Sequence, residues 1–156
     1  MDYVDILKWL HILGAIVLIG TGAGIAFFMV MAQRTGNIVV IAHTASIVVV
    51  ADWLFTASAA IIQPITGTLL AWENGWTLSE PWIIWAIGLY VFVGVFWLPV
   101  IWIQHNLRNL AHEALEAGAP LSDKYHKLFR IWLSCGFPAF FAILGILWLM
   151  VSRPVF

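Results

Sequence analysis

One carboxylic acid, Asp52, lies deep inside a long apolar run of the chain. An ionised carboxylate at the centre of a membrane-spanning helix costs about 2.5–3.5 kcal/mol on insertion scales, so we expect Asp52 to face the protein interior. The same helical face carries polar side chains further along, at Thr56, Gln63 and Thr66. No basic side chain falls at the depth of Asp52, where the expected polar neighbours are Thr21, Tyr90, Ser134 and Cys135. We therefore expect Asp52 to be protonated or strongly hydrogen-bonded. Its role could be that of a structural acid that ties helices together, of a proton relay or of a cofactor contact.

The histidines fall into two groups along the membrane normal. His11 belongs to one end of the predicted spans. The other end carries four, which are His43, His105, His112 and His126. Imidazoles from several helices at one depth are typical of b-type haem proteins, in which one or two histidines hold the iron. His126 and Arg130 are four residues apart on one helical face, with Lys127 adjacent, so this turn offers both a ligand and cations for the haem propionates.

Several residues could provide the second ligand of such a haem. For a haem held by His126, the candidate opposite ligands are His43 and His105. For His11, Gln63 and Met150 lie near its depth, and a five-coordinate haem is the alternative. Because His11 and His126 belong to opposite ends, they cannot share one haem, so either two sites exist or only one of these residues binds. The alternative for each histidine is an ordinary hydrogen-bonding residue at the membrane interface.

The composition indicates an integral membrane protein. Of the 156 residues, 63% are hydrophobic and 10% are charged, whereas soluble domains carry about 25% charged residues. So small a globule cannot bury that much apolar surface. A net charge of −1 gives no indication of nucleic acid, and the single cysteine, Cys135, excludes an internal disulfide. The spans contain no paired carboxylates, phosphate-binding glycine loop or serine elbow, which argues against hydrolytic and nucleotide chemistry.

Four apolar runs are long enough to cross a bilayer, because a hydrocarbon core of about 30 Å needs roughly 20 helical residues. The predicted spans are 6–32, 39–72, 81–103 and 123–151, within a single domain of residues 1–156. The third span continues to 117 as an amphipathic extension, and Pro64 is expected to kink the second. The predicted fold is therefore all-α, an integral membrane four-helix up-down bundle with a cytoplasmic extension of helix 3.

The basic residues predict the orientation of this bundle. Five of the seven lie at the end that holds the first and third loops, and these are Arg34, Arg108, Lys124, Lys127 and Arg130. The other end carries Lys8 and Arg153 beside four acidic residues. The positive-inside rule therefore predicts that the first and third loops are cytoplasmic and that both termini are outside.

Several short stretches resemble a known family over nearly the whole chain. They are LKWLHI at 7–12, ADWLF at 51–55, QP at 63–64, WLP at 97–99 and YHKLFRIW at 125–132. The family they resemble consists of small bacterial four-span proteins, described as predicted integral membrane proteins of unknown function. The resemblance implies a multi-pass protein of the bacterial cytoplasmic (inner) membrane, and it implies no activity.

A second resemblance covers about the first quarter of the chain. Lys8, His11 and Ile12 match the Lys-x-x-His-Ile pattern with which HemJ-type protoporphyrinogen oxidases open their first span. That family binds b haem, so the resemblance implies haem binding. The later basic residue that those enzymes carry within a span has no clear counterpart in this chain.

Three functions follow from these patterns. The first is a b-type haem-binding membrane protein with a redox or haem-handling role, in which His11 and His126 are the preferred ligands, Arg130 holds a propionate and Asp52 passes protons. The second is a non-enzymatic membrane module that supports assembly of a partner complex. Its contact surfaces, as a homodimer or with a membrane partner, would be the small-residue face of the first span with Gly14 and Gly22, the polar stripe of the second span and the amphipathic extension of the third. The third is a copper or proton transporter.

Overall fold

The computed structural model describes residues 2–154, and every regular element among them is helical. The elements are α1 (Tyr3–Thr35), α2 (Ile38–Ala51), a π-helical segment (Asp52–Ala57), α3 (Ser58–Glu73), α4 (Pro81–Glu116) and α5 (Asp123–Ser152). Because α2, the π segment and α3 are continuous, they form one span, and the four resulting helices are each long and apolar enough to cross a membrane. The predicted four-helix membrane bundle is confirmed.

The ends of the helices are set by local sequence signals. Gly36 ends α1 in the left-handed conformation, with φ of 64°, and the Asn37 side chain then caps α2 by accepting from Val39 N at 2.9 Å. Pro81 begins α4, where its missing N–H is not needed. Ser122 caps α5 in the same way as Asn37 caps α2.

The four spans lie around the bundle in chain order, which is α1, the second span, α4 and α5, and α5 also contacts α1. The most extensive packing joins α4 to α5 and α1 to the second span, and the contact of α2 with α4 holds these two hairpins together. We call the end that contains the loops after α1 and α4 the basic end, and the opposite end, where the described chain begins and stops, the terminal end. At the terminal end α3 packs chiefly on α1.

The interior consists of two apolar clusters. The larger one lies toward the basic end, and its fully buried large side chains are Met29, Ile41, Leu107 and Tyr125. Gln33 donates a hydrogen bond to the Tyr125 hydroxyl there, which ties α1 to α5. The smaller cluster lies at the terminal end around Trp82 and Leu149.

A proline in the second span is compensated by a neighbouring helix. Pro64 has no N–H, so the carbonyl of Ala60, four residues earlier, loses its partner within the helix. The hydroxyl of Tyr90 on α4 donates to this Ala60 carbonyl. An unsatisfied carbonyl in hydrocarbon is costly, so this bond both repairs the helix and links it to α4.

Replacement of Tyr90 by phenylalanine is expected to lower the free energy of unfolding by about 1 kcal/mol, because the Ala60 carbonyl is left without a donor. The measurement is reversible unfolding of the purified protein in mixed micelles. Tyr3→Phe is the matched control, since the Tyr3 side chain is exposed at the start of α1. Equal stability of Tyr90→Phe and the wild type would contradict this role.

Candidate functional site

Asp52 lies at the start of the π-helical segment in the middle of the second span and is only 3% exposed. A π segment is rare and occurs mostly as an interruption within α-helices, frequently at functional sites. Its sequence, DWLFTA, contains neither proline nor glycine, so the usual signals of a helix irregularity are absent. The irregular backbone and the buried acid therefore coincide at one position in the bundle.

The carboxyl group of Asp52 is held by neutral donors from α4. The indole Nε1 of Trp97 lies 3.2 Å from Oδ2 and 3.4 Å from Oδ1. In the amide orientation that satisfies both of its neighbours, Gln104 donates to Asp52 Oδ2 at 3.2 Å and accepts from Trp132 Nε1 at 3.2 Å. The resulting chain of hydrogen bonds connects the second span to α4 and α5.

Thr56 lies one turn beyond Asp52 in the same π segment, near its carboxyl group but without the geometry of a hydrogen bond to it. It is 9% exposed, and its hydroxyl is the one buried side-chain polar atom in residues 2–154 that has no hydrogen-bond partner. A buried hydroxyl without a partner costs about 1–3 kcal/mol. This oxygen is available as an acceptor for a proton carried by Asp52 or for a water molecule between them.

A second polar group of residues joins α1 to α3 at the terminal end. His11 Nδ1 lies 2.8 Å from Thr66 Oγ1, and the Thr66 hydroxyl donates to the Ile62 carbonyl at 2.9 Å. With the single hydroxyl hydrogen directed to the Ile62 carbonyl, the Thr66 oxygen accepts from His11, and this assignment places the imidazole proton on Nδ1. In that assignment the other ring nitrogen, Nε2, carries the lone pair when His11 is neutral.

Two glycines allow this close contact between α1 and α3. Gln63 on α3 donates to the His11 carbonyl at 2.7 Å, and a Cβ at Gly14 would lie 2.7 Å from the same amide nitrogen. In the opposite direction, a Cβ at Gly67 would lie 3.1 Å from Cε1 of the His11 ring. Each helix therefore provides a glycine where the other provides a polar side chain.

The remaining histidines do not converge. His112 lies 2.8 Å from Ser46 Oγ, which links α4 to α2, and His105 Nδ1 donates to the carbonyl of Ile101 on its own helix at 2.9 Å. His43 and His126 are exposed on the outside of the bundle. Also exposed are Lys127 and Arg130, the predicted propionate-binding groups. Across residues 2–154, no three His, Cys, Asp or Glu side chains come together where they could hold a metal ion.

The structure thus brings His11 together with Gln63, and it places Asp52 with residues that the sequence interpretation missed. Trp97, Gln104 and Trp132 are the missed members. A signal for two of them exists, because Trp97 and Gln104 are seven positions apart and so share one face of α4. Tyr90, which was expected to be a polar neighbour of Asp52, instead donates to the Ala60 carbonyl.

Comparison with known proteins agrees with this architecture. The family described as predicted integral membrane protein (DUF2269) matches residues 5–154. The chain belongs to the DUF2269 family. No curated protein and no solved structure matches it. Family membership and the four apolar helices together establish a multi-pass membrane protein. The resemblance of the first span to HemJ-type oxidases stays a prediction.

Substitution of Gly14 by alanine in this DUF2269 protein is expected to cost about 1–3 kcal/mol of stability, because the new methyl group displaces Gln63 from the His11 carbonyl. Unfolding in mixed micelles measures the change. Gly24→Ala on the same helix is the control, since nothing lies within 4 Å of its added Cβ, and its effect should stay within about 0.5 kcal/mol. A loss of stability of the same size in both variants would show that the contact of Gln63 with α1 is unimportant.

Proposed function

We propose that this protein transfers protons within the membrane and that Asp52 is the group that binds and releases them. The observation that carries the proposal is the environment of Asp52. It is a fully buried carboxyl group whose hydrogen-bond partners are the neutral side chains Trp97 and Gln104, next to the unpartnered Thr56 hydroxyl. Ionisable residues inside membrane spans mark proton and ion pathways by default.

Both protonation states of Asp52 have partners in this environment. When the carboxyl group is ionised, the indole of Trp97 and the amide of Gln104 donate to it. When it is protonated, its O–H needs an acceptor, and the Thr56 oxygen provides one, directly or through a water molecule. A group that is supported in both states can exchange its proton without a large rearrangement of the helices around it.

Other polar residues on the second span support a route to both surfaces. Ser46 with His112 lies toward the basic end, and Gln63 and Thr66 with His11 lie toward the terminal end. Helical rise separates Thr56 from Gln63 by about 10 Å, so water molecules must bridge the gap during transfer. We propose that the basic end faces the cytoplasm, in keeping with the positive-inside rule.

Infrared difference spectroscopy tests whether Asp52 exchanges a proton. As the pH is raised from about 6, where exposed carboxyl groups are already ionised, we expect the loss of a carboxylic C=O band that shifts in D2O, and Asp52→Asn should abolish this signal. Asp5→Asn, in which an exposed acid near the start of α1 is replaced, is the matched control and should retain it. In liposomes, Asp52→Asn should slow proton flux roughly hundredfold. A wild-type protein without this band, or an Asp52→Asn variant with undiminished flux, would refute the proposal.

A haem-handling role at His11 is the second candidate. It is favoured by the Thr66 contact, which fixes the imidazole and leaves Nε2 free as a ligand, as outer partners commonly do for metal-binding histidines. A second histidine is not available to such a haem, because the other four histidines belong to the basic end or lie on the exterior. When bound, haem would supply one-electron chemistry. His126, Lys127 and Arg130 would then serve a separate surface site.

The absorption spectrum of protein expressed with sufficient haem tests this second candidate. A Soret band is expected in the wild type, and His11→Ala should remove it. His126→Ala, which changes an exposed histidine at the opposite end, should leave the band unchanged. A colourless wild-type preparation would exclude the haem role and leave the proton role untouched.

Support of a partner complex is the third candidate, and one observation favours it. Gly20 and Gly24 lie on one face of α1 and both meet open space, with nothing within 4 Å of an added Cβ. In a bilayer such a surface allows close approach of another helix, from a second copy of this chain or from a membrane partner.

A further inference from the structure

The outer face of α5 near the basic end carries basic side chains that the proposed proton transfer does not use. Lys127 and Arg130 are three residues apart and exposed, with His126 beside them. They belong to a helix that crosses the membrane, so their charged groups extend toward the interface rather than into the bundle.

The contacts of the Arg130 side chain leave its charge uncompensated. Its Nε donates only to the carbonyl of His126 on its own helix, at 3.4 Å. Arg108, on the neighbouring helix, is similarly directed to a neutral group, the Asn109 side-chain oxygen, at 3.0 and 3.2 Å. A cation held by neutral groups at a membrane surface attracts an anion.

The same face of α5 becomes mostly apolar further along the helix, where Ser134 is the one exposed polar side chain between Ile131 and Phe141. Ile131, Phe137 and Phe141 follow Lys127 on this side and are exposed, Phe137 and Phe141 by 59% and 64%. From Ile131 to Phe141 the helix rises about 15 Å, which equals about half of a 30 Å hydrocarbon core. The surface therefore combines a cationic head region with an apolar strip one leaflet long.

From this combination we propose that the outer face of α5 binds an anionic phospholipid, with its phosphate between Lys127 and Arg130 and an acyl chain along Ile131, Phe137 and Phe141. The planar guanidinium of Arg130 can hold two phosphate oxygens, and the ammonium of Lys127 adds a point charge. The apolar strip favours binding of an amphiphile over a soluble anion, because only an amphiphile has an acyl chain that can pack against it. The phospholipid lies in the leaflet at the basic end.

Native mass spectrometry of the full chain, released from detergent with added lipid, tests this site. We expect phosphatidylglycerol to bind at lower concentration than phosphatidylcholine of the same chain length. The double variant Lys127→Gln/Arg130→Gln should weaken phosphatidylglycerol binding about thirtyfold, from about 1 kcal/mol for each cation near the surface. Phosphatidylcholine binding should weaken less, because the choline cation offsets the charge of its phosphate.

The control is Lys8→Gln/Arg34→Gln, which changes the net charge equally but alters exposed cations of α1. It should bind phosphatidylglycerol as the wild type does. Unfolding in lipid-free detergent identifies any variant that fails to fold, and Arg130→Lys then replaces the double variant, with an intermediate loss expected from retained charge without the guanidinium. Equal binding of the two lipids by the wild type, or an equal loss in the control, would overturn the proposal.

Discussion

A carboxyl group inside an apolar bundle must obtain its hydrogen bonds from the protein, because hydrocarbon offers none. Asp52 meets this requirement with donors from α4, and one of these, Gln104, is in turn held by Trp132 of α5. The acid therefore sets the relative depth of three helices. A shift of one helix along its axis would separate a donor from its acceptor, which apolar packing alone would tolerate far better.

The second span contains two interruptions of its backbone hydrogen bonding, and both lie close to buried polar groups. The π segment contains Asp52 and Thr56, and Pro64 removes one further backbone hydrogen bond nearby. Tyr90 donates to the carbonyl that Pro64 leaves without a partner, whereas the Thr56 hydroxyl has no hydrogen-bond partner. Native proteins rarely leave a buried polar atom unpaired without a reason. We therefore regard the Tyr90 bond as structural and the Thr56 hydroxyl as a group that can still accept a proton or a hydrogen bond.

In the contact of α1 with α3, unlike at Thr56, the buried polar side chains have hydrogen-bond partners. His11, Gln63 and Thr66 each have a hydrogen-bond partner, and glycines on both helices make room for them. Such mutual accommodation stabilises a helix pair in lipid, where no hydrophobic force draws helices together. The same contact holds the His11 ring in one tautomer, so a stabilising interaction and a chemically defined imidazole arise from one arrangement.

Much of this architecture was determined by local properties of the sequence. Length and apolarity of each run define the spans, Gly36 and Ser122 mark helix ends, and Asp52 stands out by the cost of burying its charge. The depth of each side chain also follows from its position along a helix. That is why Asp52, Thr56, Gln63 and Thr66 could be assigned to one buried stripe.

Only the tertiary structure decided which residues meet at that depth. The rotation of each helix about its axis and the order of helices around the bundle depend on packing between distant segments, which no local pattern encodes. Trp97 and Trp132 therefore became partners of the Asp52 network, while His43 and His126 turned outward. The π segment arises for the same reason, because its sequence carries no breaker and its loosened turn is maintained by the surrounding helices.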